Sequence, residues 1–149
     1  MNKSNIPKTI IRVIGFGNIF MSDDGVGIKV LETLPSLPGN VEVIDGGTSA
    51  ADLINYAKQC GKIVIIDAVD AGQEPGEIIR FGLKEIDQFY KNIRSYSLHD
   101  FGLGQALELI HRLHLKTEII IIGIKPLNVS FGQELSERVK SKITEMAEM

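Results

Sequence analysis

Two acidic segments and one histidine could do chemistry together. Asp23 and Asp24 lie in a glycine-rich loop that follows an apolar run, and Asp67 directly follows the apolar run 63–66. His99 precedes a segment with helical periodicity. In an open α/β sheet, the loops at the carboxyl ends of parallel strands gather at one edge, where ligands bind. Two carboxylates and one imidazole at such an edge would suit a divalent transition metal.

The apolar segments around these residues alternate between strand and helix patterns. We predict strands at 9–14, 41–44, 62–66, 76–81 and 118–122. We predict helices at 24–34, 49–59, 100–114 and 135–146, with a helical turn at 84–90. The strand at 76–81 follows the one before it too closely for a helical crossover, so we expect it to be antiparallel. The alternation predicts a three-layer α/β/α sandwich around a mostly parallel sheet.

Composition limits the classes of function. The 149 residues suit one domain over 1–149, and the net charge of −3 without a basic patch argues against nucleic acid. The apolar runs are too short to span a bilayer, so we expect no membrane insertion. The polar amino terminus lacks a signal-peptide core, and the single cysteine excludes an intramolecular disulfide. We therefore expect a cytoplasmic protein.

The acids also have structural interpretations. Ser22 or Asp23 could cap the following helix, which would stabilise it by about 1 kcal/mol, and taken alone these acids are best explained this way. Asp67 would be costly to bury unless it is hydrogen-bonded, paired or bound to metal. It could simply accept backbone amides from the next loop, and the sequence leaves both interpretations of Asp67 open.

The glycine loop permits a second class of function. Gly15-x-Gly17 after a strand is half of a dinucleotide fingerprint, and Asp45 could act as its ribose-binding acid. The third glycine is replaced by Phe20, and two carboxylates at the helix start would repel a pyrophosphate. A non-catalytic dinucleotide- or nucleotide-binding module is therefore the alternative to an enzyme.

Other candidate nucleophiles and ligands have simpler explanations. Cys60 precedes the third strand, at the edge opposite the acids, and is expected to be a small buried residue. His111 and His114 lie late in a predicted helix, where imidazole can contact carbonyls or solvent. The sequence has no Gly-x-Ser-x-Gly elbow, no phosphate-binding Gly-Lys-Ser/Thr loop and no His-Glu-x-x-His pattern.

The chain resembles the [NiFe]-hydrogenase maturation endopeptidases along nearly its whole length. The matching stretches are GFGNIFMSDDGVG, VEVIDGGTSAADLI, IVIIDAVDAGQEPGEII, SLHDFGLGQAL and IIIIGIKP. The resemblance implies a three-layer sandwich with a five-stranded mixed sheet that contains one antiparallel strand. It also implies an endopeptidase that removes the carboxy-terminal extension of a [NiFe]-hydrogenase large-subunit precursor after nickel has been inserted.

The resemblance carries the family's metal-contacting residues onto Asp24, Asp67 and His99. These three are the predicted catalytic and metal-binding residues, with Asp24 standing where some members have glutamate. Because the set has no thiolate, it suits nickel that the substrate's cysteines already hold. We therefore expect no tightly held metal in the isolated protein. Asp45 and Asp100 lie in neighbouring loops and could orient a metal ligand through hydrogen bonds.

Overall fold

The computed structural model describes residues 9–58, 60–85, 94–95 and 103–149. Within these residues the sheet has six strands in the spatial order β2–β1–β3–β6–β4, with β5 paired to β3. The strands are β1 (Ile11–Phe16), β2 (Val41–Gly47), β3 (Lys62–Asp70), β4 (Ile78–Gly82), β5 (Arg94–Ser95) and β6 (Glu118–Ile124). The helices are α1 (Val26–Glu32), α2 (Leu53–Ala57), α3 (Leu103–Arg112), α4 (Glu137–Lys140) and α5 (Ile143–Glu148).

The sheet is mixed, as predicted. Strands β2, β1, β3 and β6 are parallel neighbours, and β4 pairs with β6 in the antiparallel direction. This confirms the five-stranded mixed sheet with one antiparallel strand. The two-residue strand β5, which pairs antiparallel with Val69 and Asp70 at the end of β3, was not predicted.

The core lies on both faces of the sheet. One cluster joins Ile63 and Ile65 of β3 to α2 and α3, and the other joins Ile66 and Ala68 to α1, α4 and α5. The alternation along β3 places Asp67 on the same face as Ile63 and Ile65. Burial of β3 on both faces, which its continuous apolar run predicted, is therefore confirmed.

Three strands are longer than predicted, and one of them, β6, continues from residue 122 to Ile124. Strand β3 does not end at residue 66, because its pairing with β6 continues to Ala68 and its pairing with β5 extends it to Asp70. Asp67 therefore lies within a strand rather than after one. Strand β2 likewise continues beyond residue 44 to Gly47, where Phe16 of β1 pairs with it.

Several helices are shorter than predicted, because side chains compete for backbone groups. The Ser141 hydroxyl donates to the Arg138 carbonyl between α4 and α5, where we predicted one helix over 135–146. The Ser49 hydroxyl accepts from the Ala51 amide ahead of α2, which replaces the helix predicted at 49–59.

Three predicted helical segments are described only in part, and residue 59, at the end of the segment predicted at 49–59, lies outside the described residues. The turn predicted at 84–90 is a 3-10 turn over Leu83–Glu85, and the helix predicted at 100–114 is observed over Leu103–Arg112. Residues 86–90 and 100–102 lie outside the described residues. Across the described ranges, no helix is long and apolar enough to cross a bilayer.

Candidate functional site

Asp24 lies in a 3-10 turn, Ser22–Gly25, that connects β1 to α1. Two glycines let this turn pack against the sheet. Gly17 has φ +140°, and a Cβ there would collide with the Asp24 carbonyl. A Cβ at Gly27 would collide with the carbonyls of Ile66 and Phe16. The glycine pattern therefore serves close packing of the turn and α1 onto the carboxyl ends of β1 and β3.

The structure brings Asp24 and Asp67 to this same edge. The last residue of β3 that pairs with β1 is Ile66, so Asp67 is the first residue beyond that pairing. The turn and β3 contact each other at this point. Both carboxylates are buried, with 1% of each residue exposed. The fold therefore places the first two acidic segments at the same edge of the sheet, as predicted.

Backbone amides donate to both carboxylates. The Asn18 amide donates to Asp24 Oδ2 at 2.9 Å, and the Ala68 amide donates to Asp67 Oδ1 at 2.8 Å. Such bonds favour a carboxylate in a buried position. Asp67 thus accepts a backbone amide, but from Ala68 within β3 rather than from the next loop as its structural interpretation predicted.

His99 and Asp100 lie outside the described residues, so their predicted roles stay predictions. Helix α3 begins at Leu103, and its buried face belongs to the same core cluster as Ile63 and Ile65. Helix α3 therefore packs on the face of the sheet that carries Asp67. Within the described part of the chain, no group of three His, Cys, Asp or Glu residues could hold a metal ion.

Asp23 has a role that local sequence reasoning missed. It is fully buried, and its carboxylate accepts four hydrogen bonds from residues late in the chain. The Leu127 and Asn128 amides donate to Oδ2 at 2.9 and 3.0 Å. The Ser136 amide donates to Oδ1 at 2.7 Å, and the Ser136 hydroxyl donates to Oδ2 at 2.8 Å.

The capping role predicted for Ser22 or Asp23 is therefore wrong. Among the described residues, no side chain caps either the 3-10 turn or α1. Asp23 instead accepts hydrogen bonds from amides of the segment that leads into α4. The signal of this loop in the sequence is the presence of Asn128, Ser130, Gly132 and Ser136, which are typical turn residues, before the helix.

Further hydrogen bonds join the 18–24 loop to the 127–136 loop. The Ser22 amide donates to the Gly132 carbonyl at 2.8 Å, and the Gly132 amide donates to the Phe20 carbonyl at 2.7 Å. The Ser22 hydroxyl donates to the Ser130 carbonyl at 2.8 Å. Ser22 has φ +50°, a left-handed conformation that costs a non-glycine residue roughly 1–2 kcal/mol. Its two bonds across the loops offset that cost.

Asp45 lies at the carboxyl edge of the sheet, whereas Cys60 lies at the opposite edge. Asp45 is exposed at the end of β2, and its Oδ1 accepts from the Gly47 amide at 2.8 Å. The Cys60 thiol is buried at the start of β3, where it donates to the carbonyls of Ile10 and Lys62. The prediction that Cys60 is a buried residue at the opposite edge is confirmed.

Comparison with known proteins gives consistent matches. A family model described as hydrogenase maturation protease matches residues 28–149. The hydrogenase expression/formation protein HupD of Thiocapsa roseopersicina is 32% identical over 93% of the chain. The chain spans 65% of the length of that relative.

Solved structures have the same fold. The [NiFe] hydrogenase maturation protease HybD from Thermococcus kodakarensis is 31% identical, with a TM-score of 0.73. That match covers 94% of this chain and 95% of the other. The hydrogenase maturating endopeptidase HybD from E. coli is 24% identical with a TM-score of 0.78, over 94% of this chain and 88% of the other, which shows the shared fold.

Proposed function

Because the chain belongs to the hydrogenase maturation protease family, we propose that it is an endopeptidase that removes the carboxy-terminal extension of a [NiFe]-hydrogenase large-subunit precursor. The observation that carries this proposal is the pair of buried carboxylates, Asp24 and Asp67, at the carboxyl edge of the sheet. Open α/β sheets bind their ligands at this edge.

We propose that the substrate brings the metal. Nickel held by cysteines of the precursor would contact Asp24, Asp67 and His99, a set of oxygen and nitrogen donors that suits this ion. Cys60, the single cysteine, is buried at the other end of β3 and offers no thiolate to this edge. The enzyme would therefore distinguish a loaded precursor from an empty one, because only the loaded one completes the coordination.

The residues of this chain would orient the cleavage segment and move protons. Bound nickel supplies Lewis-acid chemistry at this edge. One of the two carboxylates takes a proton from the attacking water, and the proton passes to the amine released when the peptide bond breaks. Positioned bases of this kind contribute about 10²–10⁴-fold to a rate. The backbone amides of Asn18 and Ala68 hold the two carboxylates in place for this step.

A direct test uses the precursor in two states. The purified chain is incubated with nickel-loaded and with nickel-free large-subunit precursor, and the precursor mass is followed with time. We expect the loaded precursor alone to lose a carboxy-terminal peptide. Equal cleavage of both states would contradict the role of nickel, and no cleavage of either would contradict the function.

The nucleotide-binding alternative gives an opposite result in a simpler assay. It predicts that NAD or an ATP analogue raises the melting temperature and that nickel has no effect. We expect neither nucleotide to change it, because the helix start that would receive a pyrophosphate carries the buried acids Asp23 and Asp24. The cytoplasmic location stays a prediction.

A further inference from the structure

Exposed apolar side chains are concentrated on the two loops that Asp23 joins. Eight large apolar residues are exposed among those the structure describes, and four lie on these loops. They are Ile19, Phe20, Leu127 and Phe131, which we call the apolar platform. Phe131 is 85% exposed, the largest value of the eight. Single exposed apolar residues are ordinary, whereas a group of them on one surface marks an interaction site.

Hydrogen bonds hold the platform in one conformation. The Gly132 amide, next to Phe131, donates to the carbonyl of Phe20, and the Leu127 amide donates to Asp23. Met21 and Gly132 also form a parallel β-bridge between the loops. A surface that is already ordered loses less conformational entropy when a partner binds. The platform is therefore a preorganised surface rather than the tip of a loose loop.

The platform is continuous with the proposed active site. The loop that carries Ile19 and Phe20 runs directly into the turn that carries Asp24, and the Asn18 amide donates to the Asp24 carboxylate. A polypeptide whose scissile bond reaches Asp24 would therefore lie next to this loop. Since the family consists of proteases, the ligand at this edge is itself a protein.

The composition of the platform indicates which kind of side chain its partner presents. Neither segment 15–22 nor segment 126–133 contains a charged residue. Recognition of an acidic or basic segment would use charges of the opposite sign. An exposed pair of phenylalanines with Ile19 and Leu127 instead suits aliphatic and aromatic side chains.

We propose that the apolar platform docks an apolar stretch of the precursor protein, next to the segment that is cut. This inference rests on the proposed function, because it names the substrate surface that the same site receives. Docking at the platform supplies affinity for the folded body of the precursor, while Asp24 and Asp67 act on the cleavage segment. The two contributions are separable, since Phe131 touches the body and the acids touch the reacting region.

The test removes the platform without disturbing the acids. The variants are Phe131→Ser and Phe20→Ser, with Phe131→Leu as the conservative replacement. Leu113→Ser is the matched control, because Leu113 is 51% exposed and lies between α3 and the amino end of β6, at the opposite edge. Cleavage kinetics are measured with nickel-loaded precursor. Affinity for the precursor is measured in an Asp67→Asn background, where cleavage is expected to be at least about 100-fold slower, and each platform variant is compared with Asp67→Asn alone.

We expect Phe131→Ser to raise KM and Kd about tenfold or more, because buried aromatic anchors dominate protein interfaces. We expect kcat to change less than about twofold, since the platform contributes binding that is equal in ground and transition states. Phe20→Ser should show the same pattern, Phe131→Leu should restore most of the affinity, and Leu113→Ser should behave as wild type. A purely structural role for Phe131 would instead lower kcat and the melting temperature together.

Each outcome decides between the two proposals. Unchanged KM and Kd in both serine variants overturn docking and leave the proposed function standing. If the wild-type chain binds the precursor through Phe131 but does not cut it, docking is supported and the proposed endopeptidase function is wrong. Precursor that is neither bound nor cut overturns both. Sedimentation without precursor tests one more outcome. If the wild-type chain is then a dimer and the Phe131→Ser variant is a monomer, a second copy of this chain covers the platform and the docking proposal is wrong.

Discussion

Asp23 and Ser136 are joined twice across 113 positions of the chain. The Ser136 amide donates to one carboxylate oxygen at 2.7 Å, and its hydroxyl donates to the other at 2.8 Å. Ser136 is the N-cap residue of α4, while Asp23 belongs to the turn that carries Asp24. The position of the proposed catalytic turn therefore depends on a helix start that is remote in sequence.

Replacing Asp23 with asparagine should destabilise the fold. Asparagine keeps the volume but turns an NH₂ group toward amide and hydroxyl donors, so partly buried donors lose their acceptor. We expect the free energy of unfolding to fall by about 3 kcal/mol, measured by urea denaturation. Asp45→Asn is the control, and this exposed residue should change stability by less than about 0.5 kcal/mol. Equal effects of the two substitutions would contradict the structural role of Asp23.

Replacing Gly27 with alanine should move the turn away from the sheet. The new Cβ would collide with the carbonyls of Ile66 and Phe16, which belong to the backbone of two strands. We expect a loss of about 2–3 kcal/mol in the free energy of unfolding, together with reduced cleavage. Gly39→Ala is the matched control, because a Cβ there meets nothing within 4 Å. A Gly27→Ala protein as stable and active as wild type would show that the close approach is not required.

The buried acids should be needed for activity and dispensable for folding. We expect Asp24→Asn and Asp67→Asn each to reduce cleavage at least about 100-fold, because each replaces a carboxylate that can accept a proton or contact nickel. The melting temperature should stay the same or rise, as is common when a functional buried charge is removed. Asp52→Asn, which changes an exposed carboxylate before α2, should cleave normally. Full cleavage by either buried variant would remove that residue from the mechanism.

Cys60 should be irrelevant to catalysis. Its thiol is buried at the start of β3 and donates to the Ile10 and Lys62 carbonyls, far along the strand from Asp67. We expect Cys60→Ser to process the precursor at the wild-type rate and thiol-directed reagents to have no effect. Loss of processing by a folded Cys60→Ser protein would point to a cysteine nucleophile and contradict the metal-directed account.

Precursor binding should weaken as the pH falls through roughly 6 to 7. A histidine contacts metal through a neutral nitrogen, and the imidazole pKa in water is about 6.5. Below that pKa, protons compete with nickel for His99, so the bound fraction decreases; attraction to nickel moves the midpoint downward. The measurement is Kd against pH with a precursor shown to retain its nickel. A flat profile from pH 5 to 8 would remove His99 from the metal contacts, and His99→Ala should abolish the pH dependence.

The sequence predicted the elements that depend on local pattern. The spacing before β4 predicted its antiparallel direction, and the positions of Asp24 and Asp67 after apolar runs predicted that they share one edge. Both predictions follow from the number of residues between two strands and from the direction of the strands. The predicted end of β3 was wrong, because the strands that extend it by pairing, β5 and β6, come later in the chain.

The role of Asp23 could not be predicted for a similar reason. A carboxylate before a helix can either cap that helix or bind a remote set of amides. The periodicity of apolar residues describes only near neighbours, so it does not distinguish the two. The choice depends on which donors the fold buries beside Asp23, and those lie at Leu127, Asn128 and Ser136. The split between α4 and α5 was also missed, because a serine hydroxyl that bonds to the backbone leaves the apolar stripe unchanged.

The link between Asp23 and Ser136 also fixes an order of events during synthesis. The acidic turn leaves the ribosome early, whereas the amides that hold it are made more than a hundred residues later. Until the segment 127–136 has been synthesised, the Asp23 carboxylate lacks all four of these donors. We therefore expect the proposed catalytic turn to take its final position only after the segment 127–136 has been synthesised.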